Sequence, residues 1–233
     1  MIPIHPFKRS RLPAMPLSTS TDLQPRLPDF FDQAPTLTVR DPLSEFLGAA
    51  EGGVLRYGYA DAVRLAGHSC PTVAGAYLMT LHGLRALYGD ALPVRGEVAA
   101  FMHDARDSGT TGVTASVVQL LTGAAPETGF HGIGPTGRFA RNELLHFDRS
   151  DVPGVFGLQR TDTGAAVALQ LNAALVPWNE EMPRVLPYAI AGRASEEQLR
   201  RFGQLWQQRV RAMLVDFADD AQLVQVTPWD KRH

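Results

Sequence analysis

The stretch Gly67-His68-Ser69-Cys70-Pro71-Thr72-Val73-Ala74-Gly75-Ala76-Tyr77-Leu78-Met79-Thr80-Leu81-His82-Gly83-Leu84-Arg85-Ala86-Leu87-Tyr88 organises the chain around it. Pro71 suits the first position of a helix, where its missing N–H costs nothing. The small, apolar run behind it reads as that helix. Cys70, the only cysteine in 233 residues, then falls at the N-cap. The helix dipole and the unpaired N–H groups favour an anion there, so the position suits a thiolate. A thiolate is a metal ligand and a nucleophile, and His68, two residues earlier, fits either chemistry.

Upstream, residues 59–66 read as a short helix that delivers the chain to this motif. Asp41-Pro42 introduces another over residues 43–50, closed by Gly52-Gly53. Residues 1–35 are rich in Pro, Ser and Thr. They read as an extended arm wrapping a body or partner, or as a disordered leader, ahead of a single domain over residues 36–233.

Downstream, residues 95–102 read as a strand and residues 103–112 as a polar, Gly-bearing loop. A helix over residues 113–121 places Val113, Val117, Leu120 and Leu121 on one face. A glycine-rich loop spans residues 129–137. Strands follow around residues 143–147, 154–159 and 165–175, with a turn at Asp162-Thr163-Gly164. A Pro-rich crossover, residues 177–187, leads to a closing helix. Ser195-Glu196-Glu197-Gln198 caps it, and its apolar positions run from Leu199 to Phe217 at a spacing of three to four. The pattern predicts an α+β fold: helices early, a mostly antiparallel sheet later, then a final helix.

Composition narrows the chemistry. A formal net charge of -2 makes no electrostatic case for nucleic acid or an anionic membrane. A single cysteine excludes an intramolecular disulfide, a Cys-rich zinc site and a CxxC redox cycle within one chain. No apolar stretch approaches the length of a membrane span. The basic N-terminus (Lys8, Arg9, Arg11) is interrupted by prolines and has no apolar core, so a signal peptide is not expected and a cytoplasmic location is.

Three constellations carry candidate chemistry. The first is a mononuclear metal site with Cys70 and His68 as ligands, completed by His103 or His131 from other loops; thiolate and imidazole suit zinc or another borderline-soft ion. A lone histidine also reads as a surface or core-edge residue, a reading that weighs most on His131 and His146; mid-helix His82 reads as structural. The second is thiol catalysis: Cys70 as nucleophile, a histidine such as His103 as base and Asp107 as its orienter. The third is Gly132-Ile133-Gly134-Pro135-Thr136-Gly137, a literal GxGxxG. It neither follows a strand nor opens a helix, so a flexible loop or lid over the cleft is the better reading. Ser108 and Thr110 are candidate anion or cofactor donors at the start of the second helix, and an ordinary capping loop explains them equally well.

Taken together, the Gly67-His68-Ser69-Cys70-Pro71 motif, the strand over residues 96–102, the Val118-Gln119-Leu120-Leu121-Thr122-Gly123 run and the Thr161-Asp162-Thr163-Gly164 hairpin resemble the formylmethanofuran dehydrogenase FmdE-like family over residues 54–175. The resemblance implies an FmdE-like α+β core, a homodimer, a small-molecule ligand, and a metal or active-site cleft around the motif cysteine. Departures are substantial. Ala66 stands where members often carry a second histidine, and Thr72 where they prefer Gly. Ser108, Thr110 and Ala124 lie where they place further cysteines, and a C-terminal zinc finger is absent. The carry-over is limited to His68 and Cys70, with His103 placed by position. A zinc-type metal site is the expected cofactor; a haem with a Cys or His axial ligand, a metal-free thiol enzyme and a non-catalytic assembly protein are the alternatives.

Overall fold

A computed structural model describes residues 26–230. A two-stranded unit comes first: β1 (Leu37–Arg40) and β2 (Val54–Tyr57) pair antiparallel with Leu37 opposite Tyr57, and α1 (Pro42–Phe46) lies between them in the chain. Next come α2 (Tyr59–Ala66), α3 (Pro71–Tyr88), β3 (Val98–Met102), α4 (Thr111–Thr122), β4 (Leu145–His146), β5 (Phe156–Arg160) and β6 (Ala166–Leu171). The chain closes with α5 (Met182–Ile190), α6 (Glu196–Arg211), a π-helical turn and β7 (Val224–Pro228). β3 to β7 form one five-stranded sheet in the order β4-β3-β5-β6-β7, antiparallel except for the short β4–β3 pair. The α+β expectation holds.

The helix after Pro71 is the centre of the molecule. Val73 to Leu81 are all buried, and α3 packs between the sheet and the α2–α4 pair. Its small residues set the distance. A Cβ on Gly83 would sit 2.9 Å from Leu158 Cδ1, and one on Gly75 would collide with Leu171 on β6. Glycine at these two positions lets the helix lie directly on the strands. Fully buried Leu78 and Leu81 each contribute roughly 1.5–3 kcal/mol of burial. The opposite face of the sheet carries a much smaller cluster, Ala99, Phe101, Val152, Ala168 and Trp229.

Several elements differ from the sequence reading. β1, β2 and β7 are short strands of four or five residues, too brief for a clear period to show. The Pro-rich crossover over residues 177–187 contains the start of α5, because Pro183 stands in its first turn, where no intrahelical N–H is needed. The strand placed over residues 165–175 stops at Leu171, and a 3-10 turn follows. Of the arm expected over residues 1–35, residues 1–25 lie outside the described region. Its end is not extended: a 3-10 turn, Asp29–Gln33, buries Phe30 and Phe31, with the Phe31 ring edge-on to Tyr59 at 4.9 Å. Among the described residues no helix is long and apolar enough to cross a membrane.

Candidate functional site

α2 ends at Gly67, whose left-handed φ of 74° turns the chain and whose N–H closes the helix on Val63 O at 2.8 Å. Three residues later α3 begins. Cys70 is its N-cap, in extended conformation, and its Sγ accepts the Val73 N–H at 3.4 Å. The sulfur is half-buried. The helix-capped thiol read from the sequence is therefore present in the fold.

Ser69 is the fastening point of this loop. Its Oγ lies 3.0 Å from Tyr59 Oη on α2 and donates to Gln207 Oε1 at 2.9 Å. Its carbonyl accepts from Trp206 Nε1 at 3.0 Å and from Gln207 Nε2 at 3.2 Å. Tyr59 is fully buried, and burial pushes its hydroxyl pKa well up, so it stays a neutral hydrogen-bonding group. Elements 138 residues apart in sequence thus hold one five-residue loop. A proton on Nδ1 of the exposed His68 is donated to Ala66 O at 2.9 Å, which leaves Nε2 as the free donor of an electron pair. The ring borders a cleft of about 250 Å³ against Gly112, Val113 and Ser116 of α4.

The other sequence candidates do not gather around Cys70. His103 is turned away by a 2.8 Å contact between its Nδ1 and Val152 O, with Asp104 4.0 Å from its other nitrogen. Asp107 borders a separate cleft with Arg106, Glu127, His146 and Arg149. Ser108 is a turn residue whose carbonyl accepts the Thr111 N–H at 3.0 Å. Thr110 is the N-cap of α4 without a side-chain capping bond. It does approach the start of α3, bordering a cleft of about 220 Å³ with Pro71, Thr72 and Leu171. His131 is exposed in the glycine-rich loop. Among the described residues no three His, Cys, Asp or Glu side chains converge to hold a metal. The expected set of His68, Cys70, His103 and His131 is therefore not assembled within one chain: His103 is held by Val152 O and His131 lies exposed in the glycine-rich loop. His82 is structural, as expected, with Nε2 2.7 Å from Ala218 O.

No family model matches the chain, and no curated protein matches it. Among solved structures, the chain is similar to the crystal structure of a tungsten formylmethanofuran dehydrogenase FmdE-like protein from Syntrophus aciditrophicus. The likeness covers 76% of this chain and 74% of that one, at 15% identity and a TM-score of 0.41.

The glycine-rich loop is no dinucleotide cradle and borders neither cleft beside the Cys70 loop. Gly132, Gly134 and Gly137 all have positive φ and fold it into a tight hairpin with Ile133 bridged to Arg138. That hairpin carries Arg138, Phe139 and Arg141 to a different cleft, beside Asp41. Buried Asp41 is the N-cap of α1, its Oδ1 accepting from Leu43 N at 2.9 Å and Ser44 N at 3.1 Å. The same carboxylate takes Arg141 Nη2 at 2.6 Å and Arg95 Nη1 at 2.8 Å. Sequence reading registers Asp41-Pro42 as a helix start and misses the two arginines, which are 54 and 100 residues away. Nothing in local pattern marks an arginine as buried.

Proposed function

We propose that the protein binds a transition-metal ion and that Cys70 and His68 are the ligands each chain contributes. The observation that supports this reading is the N-cap position of Cys70, its Sγ oriented by the Val73 N–H and its loop clamped through Ser69. A thiolate and an imidazole suit zinc or a similar borderline-soft ion. A structural zinc site uses four protein ligands, and this motif supplies two donors. A two-fold homodimer places the same patch of both protomers face to face, which doubles every ligand. The reading is accordingly of one ion held between two copies, by two Cys70 sulfurs and two His68 rings. Exposure of His68 leaves its Nε2 accessible to such a partner.

Elemental analysis of the purified full chain, paired with light scattering, tests this. The expected result is about one metal ion per two chains and a dimer that dissociates on chelation. Cys70→Ser and His68→Ala each lose the metal. Negligible metal in wild type and Cys70→Ser alike overturns the reading. Rapid alkylation of wild type at neutral pH would in that case favour Cys70 as a nucleophile instead.

A further inference from the structure

The Asp41 cleft is independent of the thiol loop, and its charges do not balance. Arg141 is buried, with its side chain 9% exposed, and the one side-chain hydrogen bond it makes among the described residues is from Nη2 to Asp41. Its Nε is buried without a hydrogen-bond partner among the described residues. Arg95 draws on the same carboxylate, so two guanidiniums share one anion. Two more border the opening. Arg40 is paired with Glu45 at 2.6 Å. Arg138 has no carboxylate partner among the described residues; it lies over Phe139 at 4.4 Å and Phe46 at 5.2 Å. Glu97 also borders the cleft. Four guanidiniums thus face three carboxylates, Asp41, Glu45 and Glu97. Removing a charge from water without full pairing costs several kcal/mol, so stability alone gives no reason to bury the second arginine.

The walls are shaped around that guanidinium. Gly96 has a φ of 90°, and a Cβ there would strike the Arg141 head group, so only glycine lets the two lie together. Phe139 is held at a φ of 65°, a left-handed conformation that costs a non-glycine residue about 1–2 kcal/mol, and this sets its ring beneath Arg138. The cleft encloses about 480 Å³, within the size range of small-molecule sites. Planar guanidiniums match the oxygens of phosphate and carboxylate, to which they donate two parallel hydrogen bonds.

We propose that the cleft bordered by Arg95, Arg138 and Arg141 binds a small molecule through a phosphate or carboxylate group. The bound oxyanion supplies the missing negative charge and gathers the donors that Asp41 leaves over. Phe46 and Phe139, stacked on Arg138, form an apolar flank for the rest of the molecule.

Titration of the full chain with inorganic phosphate, and separately with succinate, tests the proposal by calorimetry at an ionic strength held constant with chloride. Saturable binding at about millimolar concentration or tighter is expected for at least one of them. Phosphate alone identifies a phosphorylated ligand and succinate alone a carboxylate. Arg138→Gln, which breaks no ion pair, should weaken binding by about tenfold or more with the melting temperature kept. Arg141→Lys should weaken it further; should that variant fail to fold, the Arg138→Gln comparison still decides. Absence of saturable binding by both anions, or an affinity unaltered in Arg138→Gln, overturns the proposal.

Discussion

The thiol loop takes five consecutive residues, Gly67 to Pro71, and has them gripped from α2 and α6. The arginine cleft takes Asp41, Arg95 and the hairpin residues Arg138 and Arg141 from three separate segments, and one carboxylate joins Arg95 and Arg141. In the first, reactive atoms lie at the surface and neutral hydrogen bonds do the holding. In the second, the holding is done by the charges themselves, below the surface. The two should therefore respond differently to substitution and to pH. A neutral clamp loses a hydrogen bond at a time, whereas a buried ion cluster that loses its anion leaves two cations behind.

Asp41→Asn is expected to have the largest effect. It strands Arg141 and Arg95 and weakens the cap of α1, costing about 3–5 kcal/mol, or roughly a 10 °C fall in melting temperature by calorimetry. A loss as small as that of a surface pair would erase the distinction between the regions. The same carboxylate sets an acid limit. Burial would raise its pKa, but the Arg95 hydrogen bond, the Arg141 charge and the Ser44 N–H outweigh that and hold it below the ordinary value. A depressed carboxylate contributes stability that is complete above its unfolded pKa, near 4, and lost as pH falls through the lower folded value. Chemical denaturation at a series of pH values should show stability dropping below about pH 4 in wild type, and a shallower drop in Asp41→Asn.

Ser69→Ala comes next. It leaves the buried Tyr59 hydroxyl and the Gln207 amide without their shared partner, at a cost of about 1–3 kcal/mol. It should also speed alkylation of Cys70, because the loop keeps only its carbonyl contacts to Trp206 and Gln207 while the sulfur stays. Unchanged alkylation would show that the Val73 N–H alone positions the thiol. Compared without metal, in chelator, Cys70→Ser is expected to have the smallest effect on stability, within about 0.5 kcal/mol by thermal melting, since serine is itself a favoured N-cap.

The readability of the two regions differs for the same reason. α2 and α3 are found to the residue because a Gly stop, a Pro start and an apolar run are local signals. The Cys70 cap follows from those signals alone. The Ser69 clamp does not, since Trp206 and Gln207 carry helical periodicity and no mark of what they bond. Arg141 is harder still: its burial results from Gly96, Asp41 and a hairpin meeting in space. His103 is held away from the expected site for the converse reason. Its place at a strand end is read correctly, but the side chain's direction is decided by the Val152 carbonyl, 49 residues on.

The clamp on Ser69 has a consequence for synthesis. The chain emerges from the ribosome N-terminus first, at about 5–20 residues per second. The Cys70 loop therefore exists for several seconds before Trp206 and Gln207 have been made. Through that interval the loop that carries the lone thiol has no clamp from α6, and docking of that late helix fixes its shape.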